Sequence, residues 1–462
     1  MGLLRARRPG SGDAGPAGDL ISVLYLYDRF IGRESAVGYA EIVTTIRADR
    51  AHAEELDAAD PLAGFRDRFV RDDKSLIYLD GNSLGPLPIA TEARIAEVVR
   101  QEWGGGLVRS WASWIELPRR AGDLIGEHLV GAAPGQVAVC DSTTINLYKL
   151  AAAALGARPG RNVIVTDDDN FPTDRYVLAG IAAQHGCELR MIATDLNDGV
   201  SQDAVRAAVD ERTAVVSLSH VAYRSGALAD MAAITAVAHE AGALMLWDLC
   251  HSVGAVPVEL DASGADLAIG CTYKYVNAGP GAPAFLYVRG ELQEAISQPV
   301  QGWFGQRDQF AMGPGYDPAP GIEKFLTGTP QIIGTAAVEE GARLLGEAGM
   351  GPLRAKGVAL TELLIGLADE WLAPHGFTVA SPRDSARRGA HVTLHHRDAW
   401  QLSQALIKAG VIGDYRTPDR LRLGPTPITT RFTDVWDALD ALRRIAADGS
   451  YAGLAAERGR VT

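Results

Sequence analysis

The chain has 462 residues, which is long enough for two or three domains with large hydrophobic cores. Hydrophobic residues make up 47% and charged residues 22%, as in an ordinary soluble globular protein. With 44 basic and 57 acidic residues the formal net charge is −13, which argues against a nucleic-acid-binding surface.

The four cysteines (Cys140, Cys187, Cys250 and Cys271) are far apart and form no CxxC pair. We therefore expect reduced thiols in a cytoplasmic protein, rather than a disulfide framework or a zinc site. The histidines include no HExxH or similar spacing, so we expect no metal. No apolar run reaches the ~18 residues that a membrane span requires.

The first residues carry no recognisable motif. Residues 1–18 are rich in Gly, Pro and Arg, and this composition predicts disorder. The apolar run at 20–27 has only eight residues, which is too short for an export signal. We predict a polar helix over 51–70.

A tight turn follows the short apolar run Ile77–Leu79. It contains Asp80, Gly81, Asn82 and Ser83, and ends in Gly85-Pro86. Such a composition suits a loop whose backbone approaches a ligand closely, and an ordinary turn is the alternative.

The segment Trp103–Trp114 combines three glycines with three tryptophans. The glycines predict a mobile loop, and the tryptophans are costly to leave in water. We expect a loop that lines a pocket for a flat aromatic ligand, and packing between domains is the alternative.

Three hydroxyl side chains follow the predicted strand Val137–Cys140. Ser142, Thr143 and Thr144 then lead into a predicted helix over 145–155. Backbone N–H groups at a helix start carry partial positive charge, and hydroxyls add donors. A helix cap explains one hydroxyl residue, whereas three in a row favour a phosphate site.

Apolar runs at 162–166, 188–193 and 214–218 alternate with predicted helices. This alternation predicts a mainly parallel sheet that is covered on both faces. Phe171, after the first run, is a candidate to stack on a cofactor ring, and Asp174 is a candidate supporting acid. A core aromatic and a helix cap are the alternatives.

Two further apolar runs each lead to polar side chains. Gly242–Trp247 precedes Asp248 and His251, and Ala265–Cys271 precedes Lys274. Parallel strands would gather these groups at the carboxyl edge of the sheet, where α/β sheets bind ligands. An acid, a histidine and a lysine there suit pyridoxal phosphate: the amine can form a Schiff base, and the acid can keep the pyridine nitrogen protonated. A helix-capping aspartate and a solvated lysine are the ordinary alternatives.

From residue 332 long helices give way to short strands and helices, which predicts a smaller α+β domain. Arg422 there precedes a Gly-Pro-Thr-Pro turn and could bind a substrate carboxylate bidentately, or could be a surface arginine. We expect five regions: an N-terminal extension (1–50), a segment packing with the small domain (51–88), a large cofactor-binding domain (89–331), a small domain (332–450) and a tail (451–462).

Together these motifs resemble those of the kynureninases, which are fold-type-I pyridoxal-phosphate enzymes of the aminotransferase class V group. The resemblance runs from about residue 76 to about 442. It rests on these stretches: Tyr78–Gly85, Trp103-Gly104 with Arg109–Trp111, Asn170–Asp174, Trp247–Gly254, Tyr273–Gly279 and Gly302–Gly305.

The resemblance implies a large domain with a mainly parallel seven-stranded sheet and a role for each matching residue. Lys274 would bind the cofactor covalently and move the α-proton, Asp248 would pair with the pyridine nitrogen, and Tyr273 would relay protons. The implied cofactor-binding residues are Thr143, Thr144, Phe171, Asp174, Ser219, Asp248, His251, Tyr273, Lys274, Trp303 and Thr329. The implied substrate-binding residues are Arg422, Ser83 and Trp111.

The resemblance also implies a homodimer, with Trp303 and Thr329 reaching into the neighbouring subunit's site. The implied reaction is hydrolysis of L-kynurenine, or 3-hydroxy-L-kynurenine, to the anthranilate and L-alanine. Another class V reaction (amino transfer or desulfuration) and a non-catalytic pyridoxal-phosphate-binding protein are the alternatives. The sequence leaves open whether the product serves tryptophan breakdown, NAD supply or a specialised biosynthetic route.

Overall fold

The computed structural model describes residues 47–455. The segment predicted to be disordered (1–18), most of the N-terminal extension (1–50) and the end of the tail (456–462) lie outside this range. Within the described range, no helix is long and apolar enough to cross a membrane.

The described chain begins with α1 (Arg50–Ala58), β1 (Ile77–Tyr78) and α2 (Ile89–Glu97). The helix predicted over 51–70 is therefore too long. It stops before Pro61, which disfavours helical backbone at the preceding residue, and only a short 3-10 helix follows at Ala63–Arg68.

The prediction of a loop over Trp103–Trp114 is wrong, because α2 continues into π-, 3-10 and α-helical turns that run to Trp114. Arg109 donates to the carbonyl oxygens of Gly105 (2.9 Å) and Gly106 (3.2 Å). Backbone groups that the glycines would otherwise leave in water are thereby bonded within the chain.

A seven-stranded sheet forms the centre of the chain. Its strands are β2 (Val137–Val139), β3 (Val163–Asp167), β4 (Glu188–Ile192), β5 (Thr213–Ser219), β6 (Leu244–Asp248), β7 (Leu267–Gly270) and β8 (Phe285–Val288). The order is β2-β8-β7-β6-β5-β3-β4, and β8 runs opposite to the other six strands of this sheet. This confirms the predicted mainly parallel sheet.

Helices cover both faces of this sheet: α3 (Leu117–Ile125), α4 (Thr143–Gly156), α5 (Pro172–His185), α6 (Gln202–Ala208), α7 (Met231–Glu240) and α8 (Ile332–Ala348). Along β6, Leu244 and Leu246 pack with α4 and α5, whereas Met245 and Trp247 pack with α3, α6, α7 and α8. Because both faces are buried, the strand is continuously apolar rather than alternating.

A second core lies in the C-terminal part, which contains α9 (Met350–Leu367), β9 (Thr378–Val379), β10 (Val392–His395), α10 (Ala399–Lys408), β11 (Val411–Ile412), β12 (Asp414–Arg416), β13 (Arg420–Leu423) and α11 (Phe432–Asp448). Four of its strands form an antiparallel sheet in the order β12-β13-β10-β9, and β11 pairs in parallel with β1. The segment before residue 88 thus pairs with this part of the chain, and the domain boundaries stay a prediction.

Asp57, near the end of α1, caps the start of α11. Its carboxylate accepts from the Phe432 backbone (2.6 Å), the Thr433 backbone (3.2 Å) and the Thr433 hydroxyl (2.6 Å).

We expect Asp57→Ala to lower the free energy of unfolding by about 1–2 kcal/mol, because these donors lose their acceptor. Denaturant unfolding would measure this loss. Asp67→Ala is the matched control, since that side chain is 83% exposed and pairs with Arg71 on the surface. Equal losses in the two variants would contradict the capping role.

Candidate active site

The carboxyl edge of the large sheet opens into a cavity of about 350 Å³. Ser219 ends β5 and lies in register with Asp248, which ends β6. The segment after β7 brings Tyr273 and Lys274 to the same edge. The predicted site residues that line the cavity are Thr143, Thr144, Phe171, Asp174, Ser219, Asp248, His251, Tyr273 and Lys274.

Lys274 and His251 are in direct contact across this cavity. Lys274 Nζ lies 2.9 Å from His251 Nε2. Burial, and then the positive charge of Lys274, lowers the pKa of His251 well below its ordinary value. The imidazole is therefore neutral, and its Nε2 can accept a hydrogen bond from the Lys274 amine. Its other nitrogen, Nδ1, is buried without a partner among residues 47–455.

Two buried carboxyl groups, Asp174 and Asp248, form an acid pair. Burial, and then the charge of Asp248, raises the pKa of Asp174 well above its ordinary value. Asp248 is held by the Cys250 backbone N–H at 2.7 Å and faces the Ser219 hydroxyl at 3.5 Å. Asp174 thus keeps its proton to higher pH than an ordinary aspartate and can act as a hydrogen-bond donor beside Asp248. Asp174 Oδ2 has no partner within the described residues.

The phosphate site predicted after β2 sits at the N-terminus of α4. Ser142 caps the helix by accepting from the Ile145 N–H at 3.4 Å. Asp141, just before it, has a left-handed backbone with φ of 50°. Its carboxylate would repel an anion, but the fully buried Lys149 ammonium donates to it at 2.7 Å. Neutralising this acid keeps the N–H groups of α4 and its hydroxyls suited to a phosphate.

Phe171 is 40% exposed and packs edge-on against Tyr223, with ring centroids 5.3 Å apart. It immediately precedes Pro172, the first residue of α5, so the helix start fixes its position. Its ring is free on the cavity side to stack on a planar ligand.

The turn at 80–86 approaches the backbone beside Lys274. Gly85 N–H donates to the Tyr273 carbonyl at 2.8 Å, and a Cβ on Gly85 would lie 2.1 Å from the Lys274 carbonyl oxygen. Only glycine fits there. The close approach expected of this turn is therefore to the chain itself.

Five predicted residues do not line the cavity within one chain, and three of them, Trp303, Thr329 and Trp111, lie away from its wall. Trp303 is 42% exposed and packs edge-on against Phe304, and Thr329 lies on the surface. Trp111 also packs against Phe304, with ring centroids 5.8 Å apart.

Arg422 and Ser83 come together at 3.0 Å, behind the cavity wall formed by Tyr223. The Tyr223 carbonyl accepts from Arg422 at 2.6 Å.

Sequence reasoning missed Tyr223, Asp414 and Lys149. The Thr-Pro-Asp stretch at 417–419 was the available signal for a β12–β13 hairpin that would bring Asp414 to Arg422.

Within the described range, no group of His, Cys, Asp or Glu side chains is arranged to hold a metal ion. What the site offers is an amine, an acid pair, an aromatic face and a helix N-terminus.

The chain is similar to known proteins to different extents. A family model described as the kynureninase C-terminal domain matches residues 353–442, and one for the DegT/DnrJ/EryC1/StrS aminotransferase family matches 128–262. The chain is 48% identical to a kynureninase of Pseudomonas fluorescens, over 84% of this chain and 94% of that protein. It is 47% identical to a kynureninase of Burkholderia pseudomallei strain 1106a, over 86% and 95% of the two chains.

Solved structures with the same fold are more distant in sequence. An apo cysteine desulfurase from Thermococcus onnurineus NA1 superposes with a TM-score of 0.70 at 17% identity, over 86% of this chain and 98% of that one. A C-DES variant with glycine covalently linked to its PLP cofactor has a TM-score of 0.72 at 19% identity, over 83% and 99%. At such identities the likeness establishes the fold alone.

The charge balance beside the predicted phosphate site can be tested through the buried Lys149–Asp141 pair. We expect Lys149→Met to lower the free energy of unfolding by about 3–5 kcal/mol, because it leaves the Asp141 carboxylate without its ammonium partner. The double variant Lys149→Met/Asp141→Asn removes that charge and should lose less stability than Lys149→Met. Denaturant unfolding compares the two, and a larger loss in the double variant would contradict the pairing.

Proposed function

This chain belongs to the kynureninase family, and we propose that it hydrolyses L-kynurenine, 3-hydroxy-L-kynurenine or both. The products are anthranilate or 3-hydroxyanthranilate, and L-alanine. The observation that carries the proposal is that Lys274, Asp248 and the α4 N-terminus border one cavity in a chain of this family.

The residues at the cavity fit pyridoxal phosphate. The start of α4, with Thr143 and Thr144, suits the phosphate, and Phe171 offers a face for the ring. The two buried atoms without partners, His251 Nδ1 and Asp174 Oδ2, belong to side chains that line this cavity, as expected where a polar ligand binds. When bound, the cofactor supplies an electron sink for bond cleavage next to the substrate amine.

The chain's own residues then have distinct tasks. The Lys274 amine, which contacts neutral His251, would move the substrate α-proton, and Asp248 would hold a proton on the pyridine nitrogen of the bound cofactor. Burial, and then the neighbouring Cys271 and Cys250, raises the pKa of Tyr273. Tyr273 therefore stays protonated at neutral pH and is a proton donor beside the amine.

Two alternatives predict different products. A desulfurase needs a cysteine nucleophile in a mobile loop after the lysine, and no cysteine follows Cys271 in this chain. A protein that only binds the cofactor needs no arginine for a substrate carboxylate, whereas Arg422 is buried next to the cavity wall.

Anthranilate fluorescence tests the function directly. We expect the holoenzyme to release anthranilate from L-kynurenine, with L-alanine in equal amount. Release of sulfide from L-cysteine, or cofactor binding without any product, would overturn the proposal.

Lys274→Ala should remove nearly all turnover and the visible absorbance of the lysine-bound cofactor, because no other amine replaces it. Lys408→Ala, on the surface at the end of α10, is the matched control and should leave both unchanged. Normal turnover by Lys274→Ala would reject the assigned role.

We also propose a homodimer in which Trp303 and Thr329 complete the neighbouring subunit's site. Large apolar side chains near Trp303 support it, since Phe310 is 71% and Met312 75% exposed in the single chain. The four free cysteines, all within the described range, support a cytoplasmic location.

Mixing two inactive variants tests the exchange of Trp303. Lys274→Ala and Trp303→Ala should each have low activity as homodimers. A mixed dimer contains one site with Lys274 from one chain and Trp303 from the other, so equal mixing restores about a quarter of the sites. Failure to regain activity would contradict a Trp303 supplied by the neighbouring subunit.

A further inference from the structure

The carboxylate of Asp414 on β12 accepts two hydrogen bonds from the guanidinium of Arg422 on β13. Arg422 Nε lies 2.9 Å from Asp414 Oδ1, and Nη2 lies 2.5 Å from Oδ2. Both side chains are 1% exposed. The Asn82 carboxamide lies on the same side, with one polar atom 2.7 Å from Nε. This bidentate contact fixes the plane in which the remaining N–H groups of Arg422 point.

The remaining N–H groups contact Tyr223, which lines the cavity, and Ser83 in the turn at 80–86. Nη1 donates to the Tyr223 carbonyl at 2.6 Å, and Nη2 donates to the Ser83 hydroxyl at 3.0 Å. An arginine has five N–H groups, so one on Nη1 remains after these contacts, and Ser83 can yield a second. An incoming carboxylate can therefore take two parallel bonds without displacing Asp414.

The charge of Asp414 opposes such binding unless it is cancelled. An isolated Asp414–Arg422 pair is neutral, and a substrate carboxylate entering a buried neutral pair would be poorly compensated. Arg416 supplies the missing charge: its Nη2 lies 2.7 Å from Asp414 Oδ2, and its side chain is 28% exposed. We call Arg416, Asp414 and Arg422 the charge triad. Its two cations and one anion give a net charge of +1.

We propose that Asp414 and Arg416 are positioning residues for substrate binding: Asp414 orients Arg422, and Arg416 cancels the charge of Asp414 so that Arg422 attracts the substrate carboxylate. This deepens the proposed function and rests on it. The charges of the triad also act on the cavity. Burial and the charge of Lys274 are the main causes of the lowered pKa of His251, and the charges of Arg422 and Arg416 lower it further.

The carboxyl group of Asp80 adds little negative charge to the triad below neutral pH. Burial, and then the charge of Asp414, raises the pKa of Asp80 to about 7.

The decisive experiment compares Arg416→Gln with Arg416→Gln/Asp414→Asn. Arg416→Gln leaves a neutral pair, so we expect KM for L-kynurenine to rise at least about tenfold with a much smaller change in kcat. The double variant regains a net charge of +1 from Arg422 alone, so its KM should fall below that of Arg416→Gln. A merely structural role predicts the opposite order, and a double variant with an equal or higher KM would overturn the proposal.

The exposed pair Arg383–Asp369 provides the matched control. These side chains are 60% and 47% exposed in the same part of the chain. Arg383→Gln and Arg383→Gln/Asp369→Asn should leave KM unchanged. The absorbance of the bound cofactor, measured in every variant, should also be unchanged, and its loss in Arg416→Gln would overturn a role confined to the carboxylate.

If the wild type does not turn over L-kynurenine, the proposed function fails, and the triad is then judged by titrating each holoenzyme with L-alanine, where the same order of affinities is expected.

Discussion

The register of β6 against β5 and β7 is the constraint on which the site depends. Asp248 lies opposite Ser219 on one side and Ile269 on the other. A slip of one residue would exchange the two buried faces and turn Asp248 away from the cavity. Because Leu246 and Trp247 fill different cores, that slip would also place each side chain in a space shaped for the other. Packing of the strand therefore holds the acid in place.

Each buried acid around this edge is prevented from adding unbalanced negative charge. Lys149 neutralises Asp141 at the phosphate site, Asp174 keeps a proton beside Asp248, and Asp414 is held between two arginines. The protein thereby pays the desolvation cost of several ions while leaving positive potential where a phosphate and a carboxylate are expected. This balance also limits substitution, since removing one partner leaves the other uncompensated.

Much of the fold was predictable from the sequence, because buried strands leave a local signal. The predicted strand Val137–Cys140 is one residue longer than β2 in the structure, and the apolar run at 188–193 is one residue longer than β4. The helical course of Trp103–Trp114 was not predictable, since it depends on Arg109 bonding glycine carbonyls. Asp414 was missed because its importance arises only when the β12–β13 hairpin places it against Arg422. A single chain does not bring Trp303 and Thr329 to the cavity, so their roles stay a prediction.

The parallel pairing of β1 with β11 has a consequence for synthesis on the ribosome. Ser83 and Arg422 are 339 positions apart in the sequence, so nearly the whole polypeptide must emerge before this contact can form. Until then the Ile77–Leu79 edge remains without its partner, exposed to association with other nascent chains. Completion of the carboxylate pocket is therefore among the last events of biogenesis, and a ribosome that stalls before β13 releases a product with a finished central sheet but no means of holding a substrate.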